Sequence, residues 1–167
     1  MSKRSGNAAV IIAVLIACTI SLSNGLAPSA LAQSISLGPK VGIATGEFSV
    51  FTELVVMPNF SASLSSGLLS SALTVTGWVT MYWPKSLKFL PTYAIPYAAV
   101  GLRVLTSNAG AQSDLILLGG LRLLLPPNTL PSPVRGVSLM AELALLIGFP
   151  NFDRIGLDAR VSLSLSF

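Results

Sequence analysis

Apolar and polar residues alternate along most of the chain, and the alternation is clearest at its end. From Ile155 to Phe167, one face is aliphatic and ends on phenylalanine, while the other carries glycine, aspartate, arginine and serine. Side chains of a β-strand point alternately to its two faces. This segment is therefore predicted to be a strand with one apolar and one polar surface.

The same alternation recurs upstream, where clusters of Gly, Pro, Asn and Ser separate the segments. It predicts eight strands, at about residues 35–44, 47–57, 59–66, 68–83, 93–105, 113–125, 136–149 and 155–167. Strands of this length suit a tilted crossing of a bilayer. The pattern predicts an all-β protein that forms a closed, antiparallel transmembrane β-barrel of eight strands.

The charged residues inside the predicted strands share one property, because all of them fall on the polar phase. They are Lys40, Glu53, Arg103, Arg122, Glu142, Asp158 and Arg160. The remaining charges, including Glu47 and Asp114, fall in predicted turns or close to strand ends. The apolar face of every predicted strand is therefore free of charge.

Two kinds of barrel show this alternation. A soluble barrel turns its apolar face inward around a ligand, whereas a membrane barrel turns it outward to lipid. Here the polar face is mainly Ser, Gly, Ala and Thr, which suits the narrow lumen of an eight-stranded barrel better than a solvated exterior. Composition thus favours the membrane barrel, with membrane lipid around the apolar face.

The seven charges on the polar phase would then meet in the lumen. Four are positive and three are negative, and buried charges are costly unless they are paired. We therefore expect a charge network that plugs the lumen. Neighbouring strands suggest pairs of Lys40 with Glu53 across the first hairpin, and of Glu142 with Asp158 or Arg160 across the last.

Aromatic residues on the apolar phase fall at predicted strand ends, as membrane-interface girdles do. They are Phe48, Phe60, Trp83, Phe149 and Phe167. Three further aromatic residues, Trp78, Tyr82 and Tyr97, fall on the lumenal phase.

Composition agrees with a membrane environment. Of the 167 residues, 52% are hydrophobic and 10% are charged, with a mean hydropathy of +0.76, against roughly 25% charged in soluble domains. The one continuous apolar run is N-terminal, with Lys3 and Arg4 before it and Ala30-Leu31-Ala32 after it. This arrangement predicts a cleaved secretory signal peptide over residues 1–32 and a mature barrel over residues 33–167.

Cys18 is the only cysteine, and the preceding Leu15-Ile16-Ala17 also fits a lipoprotein signal in which Cys18 is acylated. If cleavage instead follows Ala32, the mature chain has no cysteine for a disulfide or a thiol catalyst.

The C-terminal strand resembles the assembly signal of the small bacterial outer-membrane β-barrels, in which a polar residue and a glycine precede alternating hydrophobic residues and a terminal aromatic. Arg160, Leu163, Leu165 and Phe167 match this pattern, whereas Ser162 replaces the glycine. Residues 33–167 are similar to the group that includes the membrane domain of outer-membrane protein A. The resemblance implies location in the bacterial outer membrane and recognition by the outer-membrane barrel assembly machinery.

The chain contains no histidine, which removes the usual general base and the commonest metal ligand. Enzymatic outer-membrane barrels rely on histidine, so the resemblance does not extend to their activities. Glu142 and Asp158 could share acid and base work, but basic residues lie near both in the predicted network. We expect no catalytic, cofactor or metal site, and no basic run indicates a nucleic-acid partner.

Three functions fit these observations. The first is a non-enzymatic integral outer-membrane barrel with a structural or envelope-integrity role. The second is a narrow pore, or a lateral path for small or apolar solutes. The third is a soluble or lipid-anchored periplasmic barrel that binds an apolar ligand.

Overall fold

The computed structural model describes residues 34–83, 93–125 and 133–167. The regular elements of these residues are β1 (Ile35–Gly42), β2 (Phe48–Met57), β3 (Phe60–Leu69), β4 (Ala72–Tyr82), β5 (Ala94–Ser107), β6 (Gly110–Leu125), β7 (Gly136–Phe149) and β8 (Ile155–Ser166). No helix with the length and hydropathy of a membrane span occurs in these three ranges. The predicted signal peptide and Cys18 lie outside the described residues.

The strands form one closed barrel in sequence order, and each strand pairs antiparallel with its neighbours. Closure comes from β1 and β8, which pair from Ser36 opposite Ser166 to Gly42 opposite Arg160. The predicted architecture, a closed antiparallel barrel of eight strands, is confirmed.

Two hairpin positions differ from the prediction. Strand β3 continues to Leu69 instead of ending at residue 66, and β6 begins at Gly110 instead of residue 113. In β3, serines lie on both faces, since Ser61 and Ser65 are buried while Ser66 is half-buried on the outer phase. Because the two faces differ little in polarity, alternation marks the end of this strand poorly. The turn falls at Ser70, whose φ of 55° is left-handed.

The barrel reverses the polarity of a soluble protein. In β1, for example, Leu37 and Val41 are exposed while Ser36 and Lys40 are buried. Many large apolar side chains of the other strands are likewise exposed and form an apolar outer surface. Since lipid is the solvent that such a surface prefers, the fold matches the outward-facing alternative of the sequence prediction.

The interior is less polar than the sequence suggested. Besides serine and threonine, it holds a packed apolar cluster across the middle of the lumen. Its members are Phe51, Trp78, Tyr97, Ala99, Ile116, Leu118, Met140, Ala144 and Leu146. We call this cluster the apolar septum.

The charged lumen as candidate functional site

The lumen of the described barrel contains nine buried charged side chains. They are Lys40, Glu47, Glu53, Arg103, Asp114, Arg122, Glu142, Asp158 and Arg160. The structure places all seven predicted lumenal residues in this set and adds Glu47 and Asp114. The nine side chains form three groups at successive heights along the barrel.

The first group lies at the end of the barrel that carries the C-terminus, and we call it the terminal layer. Arg122 Nη1 lies 2.9 Å from Glu53 Oε2, and its Nε donates to Ser138 Oγ at 2.9 Å. Glu53 also accepts hydrogen bonds from Ser61 at 2.6 Å and from the Tyr82 hydroxyl. Most donors and acceptors of this pair are therefore satisfied inside the protein, which offsets the cost of burying two charges.

The second group is an ion pair at the apolar septum. Lys40 Nζ lies 2.8 Å from Glu142 Oε2, and the Tyr97 hydroxyl donates to Glu142 Oε1 at 2.7 Å. The Lys40 ammonium also lies 4.2 Å from the centre of the Trp78 ring, a cation–π distance. Lys40 is therefore held by a carboxylate and an aromatic face together.

The third group lies at the opposite end, beside the β1–β2 turn, and we call it the hairpin layer. Arg103 bridges two carboxylates, at 3.1 Å from Glu47 Oε2 and 2.7 Å from Asp114 Oδ2. Arg160 Nε lies 2.9 Å from Asp158 Oδ2, and its Nη2 lies 3.9 Å from Glu47. Charges of both signs alternate across the lumen, so this end is also filled by ion pairs.

The pairings proposed from neighbouring strands were wrong. In the β1–β2 register Lys40 lies opposite Ser49, and Glu53 lies opposite Ser36, so the predicted pair does not form. Glu142 is the backbone partner of Arg160, yet its carboxylate meets Lys40, which reaches it from β1 past β8. In a lumen this narrow, long side chains find partners beyond the adjacent strand.

Glu47 and Asp114 are the two buried charged residues that the sequence analysis did not place in the lumen. Both were placed in turns or near strand ends, but they are buried and ion-paired. A signal was available, because Asp114 is an even number of residues from Arg122, and Glu47 is an even number from Glu53. Strand phase thus predicts that both side chains point into the lumen, provided that the alternation of the strands extends to these two residues.

The added carboxylates change the charge balance of the lumen. The nine buried side chains comprise four cations and five carboxylates. Arg154, about half exposed at the mouth, lies 3.5 Å from Asp114 Oδ1 and supplies a fifth cation. Each of the five carboxylates thus forms a salt bridge with an arginine or lysine.

The described residues contain no group of three or more His, Cys, Asp or Glu side chains that could hold a metal ion.

The aromatic residues follow their predicted phases. Phe48, Phe60, Trp83 and Phe149 are exposed at or beside strand ends, whereas Trp78 and Tyr97 are buried. Phe167 is half-buried, and its backbone N–H donates to the Ile35 carbonyl at 2.9 Å. The terminal residue therefore completes the pairing of β8 with β1.

No protein-family model and no curated protein sequence matches this chain. Among solved structures, it is similar to the N-terminal β-barrel domain of Pseudomonas aeruginosa OprF. The TM-score is 0.59 at 12% identity, over 81% of this chain and 96% of that domain. The chain has the fold of the small eight-stranded outer-membrane β-barrels.

A second similar structure comes from the de novo design of transmembrane β-barrels. It matches with a TM-score of 0.53 and 13% identity, over 83% of this chain and 98% of the designed chain. The resemblance to the group that includes the membrane domain of outer-membrane protein A is thereby confirmed at the level of fold. At these identities, residue roles come from the geometry of this chain alone.

Proposed function

We propose that this protein is a non-enzymatic integral barrel of the bacterial outer membrane, with a structural role in the cell envelope and a closed lumen. The observation that carries the proposal is the combination of an apolar outer surface with an interior filled by ion pairs and the apolar septum. The first feature suits lipid, and the second suits a barrel that seals its own interior.

The outer surface supports membrane insertion. Leu143 in the middle of β7 is 69% exposed, and Val79 and Val100 on β4 and β5 are about half exposed. A continuous apolar surface of this kind is unfavourable in water but favourable in hydrocarbon. A soluble barrel that carries an apolar ligand requires the opposite arrangement of faces.

The lumen supports a closed barrel. Any ion crossing it would pass the terminal layer, the hairpin layer and the apolar septum, which itself holds the Lys40–Glu142 pair. Passage through the septum removes the hydration shell of the ion, which costs several kcal/mol in an apolar environment. We therefore favour a structural role over a narrow pore.

The C-terminal strand supports assembly by the outer-membrane barrel machinery. Leu163 is exposed on the outer face, and Arg160 of the same strand is buried in the lumen. The machinery would therefore meet the hydrophobic residues of β8 on its outer face.

Cell fractionation tests the proposal as a whole. We expect the protein in the outer-membrane fraction, resistant to carbonate and high salt, with a mobility on denaturing gels that shifts on heating. Release by carbonate, or an unshifted mobility, would show that the barrel does not span the membrane.

Planar-bilayer recording tests the closed lumen separately. We expect the refolded protein to give no stable conductance steps, because the septum and the two charged layers fill the lumen. The double variant Phe51→Ala/Trp78→Ala removes two of the three aromatic rings of the septum and is expected to conduct. Conductance steps of the same size in the parent protein would favour the pore.

A further inference from the structure

The seam between β1 and β8 is the most interrupted ladder of the barrel. Pairing runs over Ser36 and Leu37, stops, and resumes from Lys40 to Gly42. The interruption contains Pro39. The Ile43 N–H, four residues after Pro39, donates to the Ala159 carbonyl of β8. Backbone groups an even number of residues apart on a strand face the same neighbour, so the Pro39 nitrogen faces β8 but has no hydrogen to donate.

Side chains bridge this seam at three heights. The Ser36 and Ser166 hydroxyls are 2.8 Å apart at the terminal layer. Lys40 reaches past β8 to Glu142 at the septum. At the hairpin layer, Asp158 of β8 binds the β1–β2 turn. Hydrogen bonds and an ion pair between polar side chains therefore join the strands across the seam, where the backbone ladder is interrupted.

Asp158 makes the densest of these three links. Its Oδ1 accepts the backbone N–H groups of Ala44 and Thr45, both at 3.2 Å, and its Oδ2 accepts the Thr45 hydroxyl at 3.1 Å. Arg160 Nε holds the same Oδ2 at 2.9 Å. The carboxylate is fully buried, so the turn that follows β1 folds over it.

Gly42 makes room for this carboxylate. A Cβ at Gly42 would lie 2.6 Å from Asp158 Oδ2 and 2.5 Å from Thr45 Oγ1. Any other residue at this position would push the carboxylate away from the turn. Gly42, the last residue of β1, is therefore needed for the contact between Asp158 and the β1–β2 turn.

The seam is also the contact with the largest sequence separation. Asp158 lies 113 residues from Thr45, whereas the hairpins join residues a few positions apart. The entropic cost of closing a loop rises with its length, and contacts of large separation form late. We propose that Asp158 is the latch that closes the barrel, drawing the β1–β2 turn onto β8 so that the last ladder forms.

Two disulfide reporters test the latch during refolding of the full chain with Cys18→Ser into phosphatidylcholine vesicles. Ser36→Cys/Ser166→Cys reports on the seam, because the parent hydroxyls are 2.8 Å apart. Ser138→Cys/Ser164→Cys reports on the β7–β8 hairpin, where the hydroxyls are 2.6 Å apart. The measured quantity is the ratio of the two rates of disulfide formation.

We expect Asp158→Asn to slow disulfide formation in the seam reporter by at least about tenfold relative to the hairpin reporter. The reason is that the neutral amide of asparagine accepts weaker hydrogen bonds than the charged carboxylate that it replaces. Gly42→Ala keeps the carboxylate and is expected to have the same effect. The matched control is Asp114→Asn, which removes another buried carboxylate of the hairpin layer and should leave the ratio unchanged.

An unchanged ratio in Asp158→Asn and Gly42→Ala, or an equal change in Asp114→Asn, would overturn the latch. The choice of vesicles rests on the proposed membrane function. A failure of the latch proposal can be distinguished from a failure of the membrane proposal. If the parent reporters form in aqueous buffer but not with vesicles, the membrane proposal is wrong, and the same rate ratio measured in buffer decides the latch.

Discussion

Replacing Arg122 with methionine is expected to lower the free energy of unfolding by about 3–5 kcal/mol, the range for removing one partner of a buried ion pair. Methionine approximates the length of the arginine stem but leaves the Glu53 carboxylate without its cation. Ser61 and Tyr82 still donate to that carboxylate, but neither neutralises its charge. Urea unfolding of the refolded barrel, followed by tryptophan fluorescence, measures the loss.

Two further variants isolate the charge effect. Arg122→Met/Glu53→Gln leaves no unpaired charge and should recover most of the lost stability. Arg154→Met removes a cation at the mouth, where the side chain is 49% exposed, and should cost less than about 1 kcal/mol. Equal losses in Arg122→Met and Arg154→Met would contradict a buried, structural pair in the terminal layer.

Replacing Gly120 with alanine is expected to cost about 2–3 kcal/mol, as overpacking does in close-packed interiors. A Cβ at this position would lie 2.6 Å from the Ala141 carbonyl oxygen and 2.9 Å from Tyr97 Cζ. Backbone cannot yield cheaply, and the Tyr97 ring is held by its hydrogen bond to Glu142 at 2.7 Å. The substitution therefore disturbs the ladder and the septum ion pair together.

The adjacent glycine provides the control. A Cβ at Gly119 meets no atom within 4 Å, because this residue lies on the outer face. Gly119→Ala should leave the urea midpoint unchanged or slightly raised, since alanine restricts the unfolded chain. If both alanine variants unfold at the same urea concentration, the close packing of Tyr97 against Gly120 does not contribute to stability.

Much of the fold could be predicted from the sequence because alternation is a local property. In β7 and β8, a few residues are enough to tell the apolar face from the polar face. The boundaries predicted for these two strands agree with the structure to within one residue. The phase also directs Arg122 and Asp158 inward without knowledge of any partner. Where serine occupies both faces, as in β3, the two faces differ little in polarity, and the predicted end of the strand is wrong.

The composition of the lumen was less predictable. Ile116, Leu118 and Leu146 lie on inward phases and form part of the septum. Their identity alone does not separate them from the lipid-facing leucines of the same strands. Their phase was available, because Ile116 and Leu118 lie an even number of residues from Arg122 and Leu146 lies an even number from Glu142. Only the tertiary structure shows that these side chains pack together inside the barrel.

The sequence by itself determined that eight alternating segments would form a barrel, which face of each would be apolar, and that the charges within the predicted strands would share the other face. Only the tertiary structure decided which charges meet. Arg122 and Glu53 lie 69 residues apart, and Lys40 reaches Glu142 across an intervening strand. The physical reason is that alternation depends on neighbours along one strand, whereas pairing across a lumen depends on register and closure of the whole barrel.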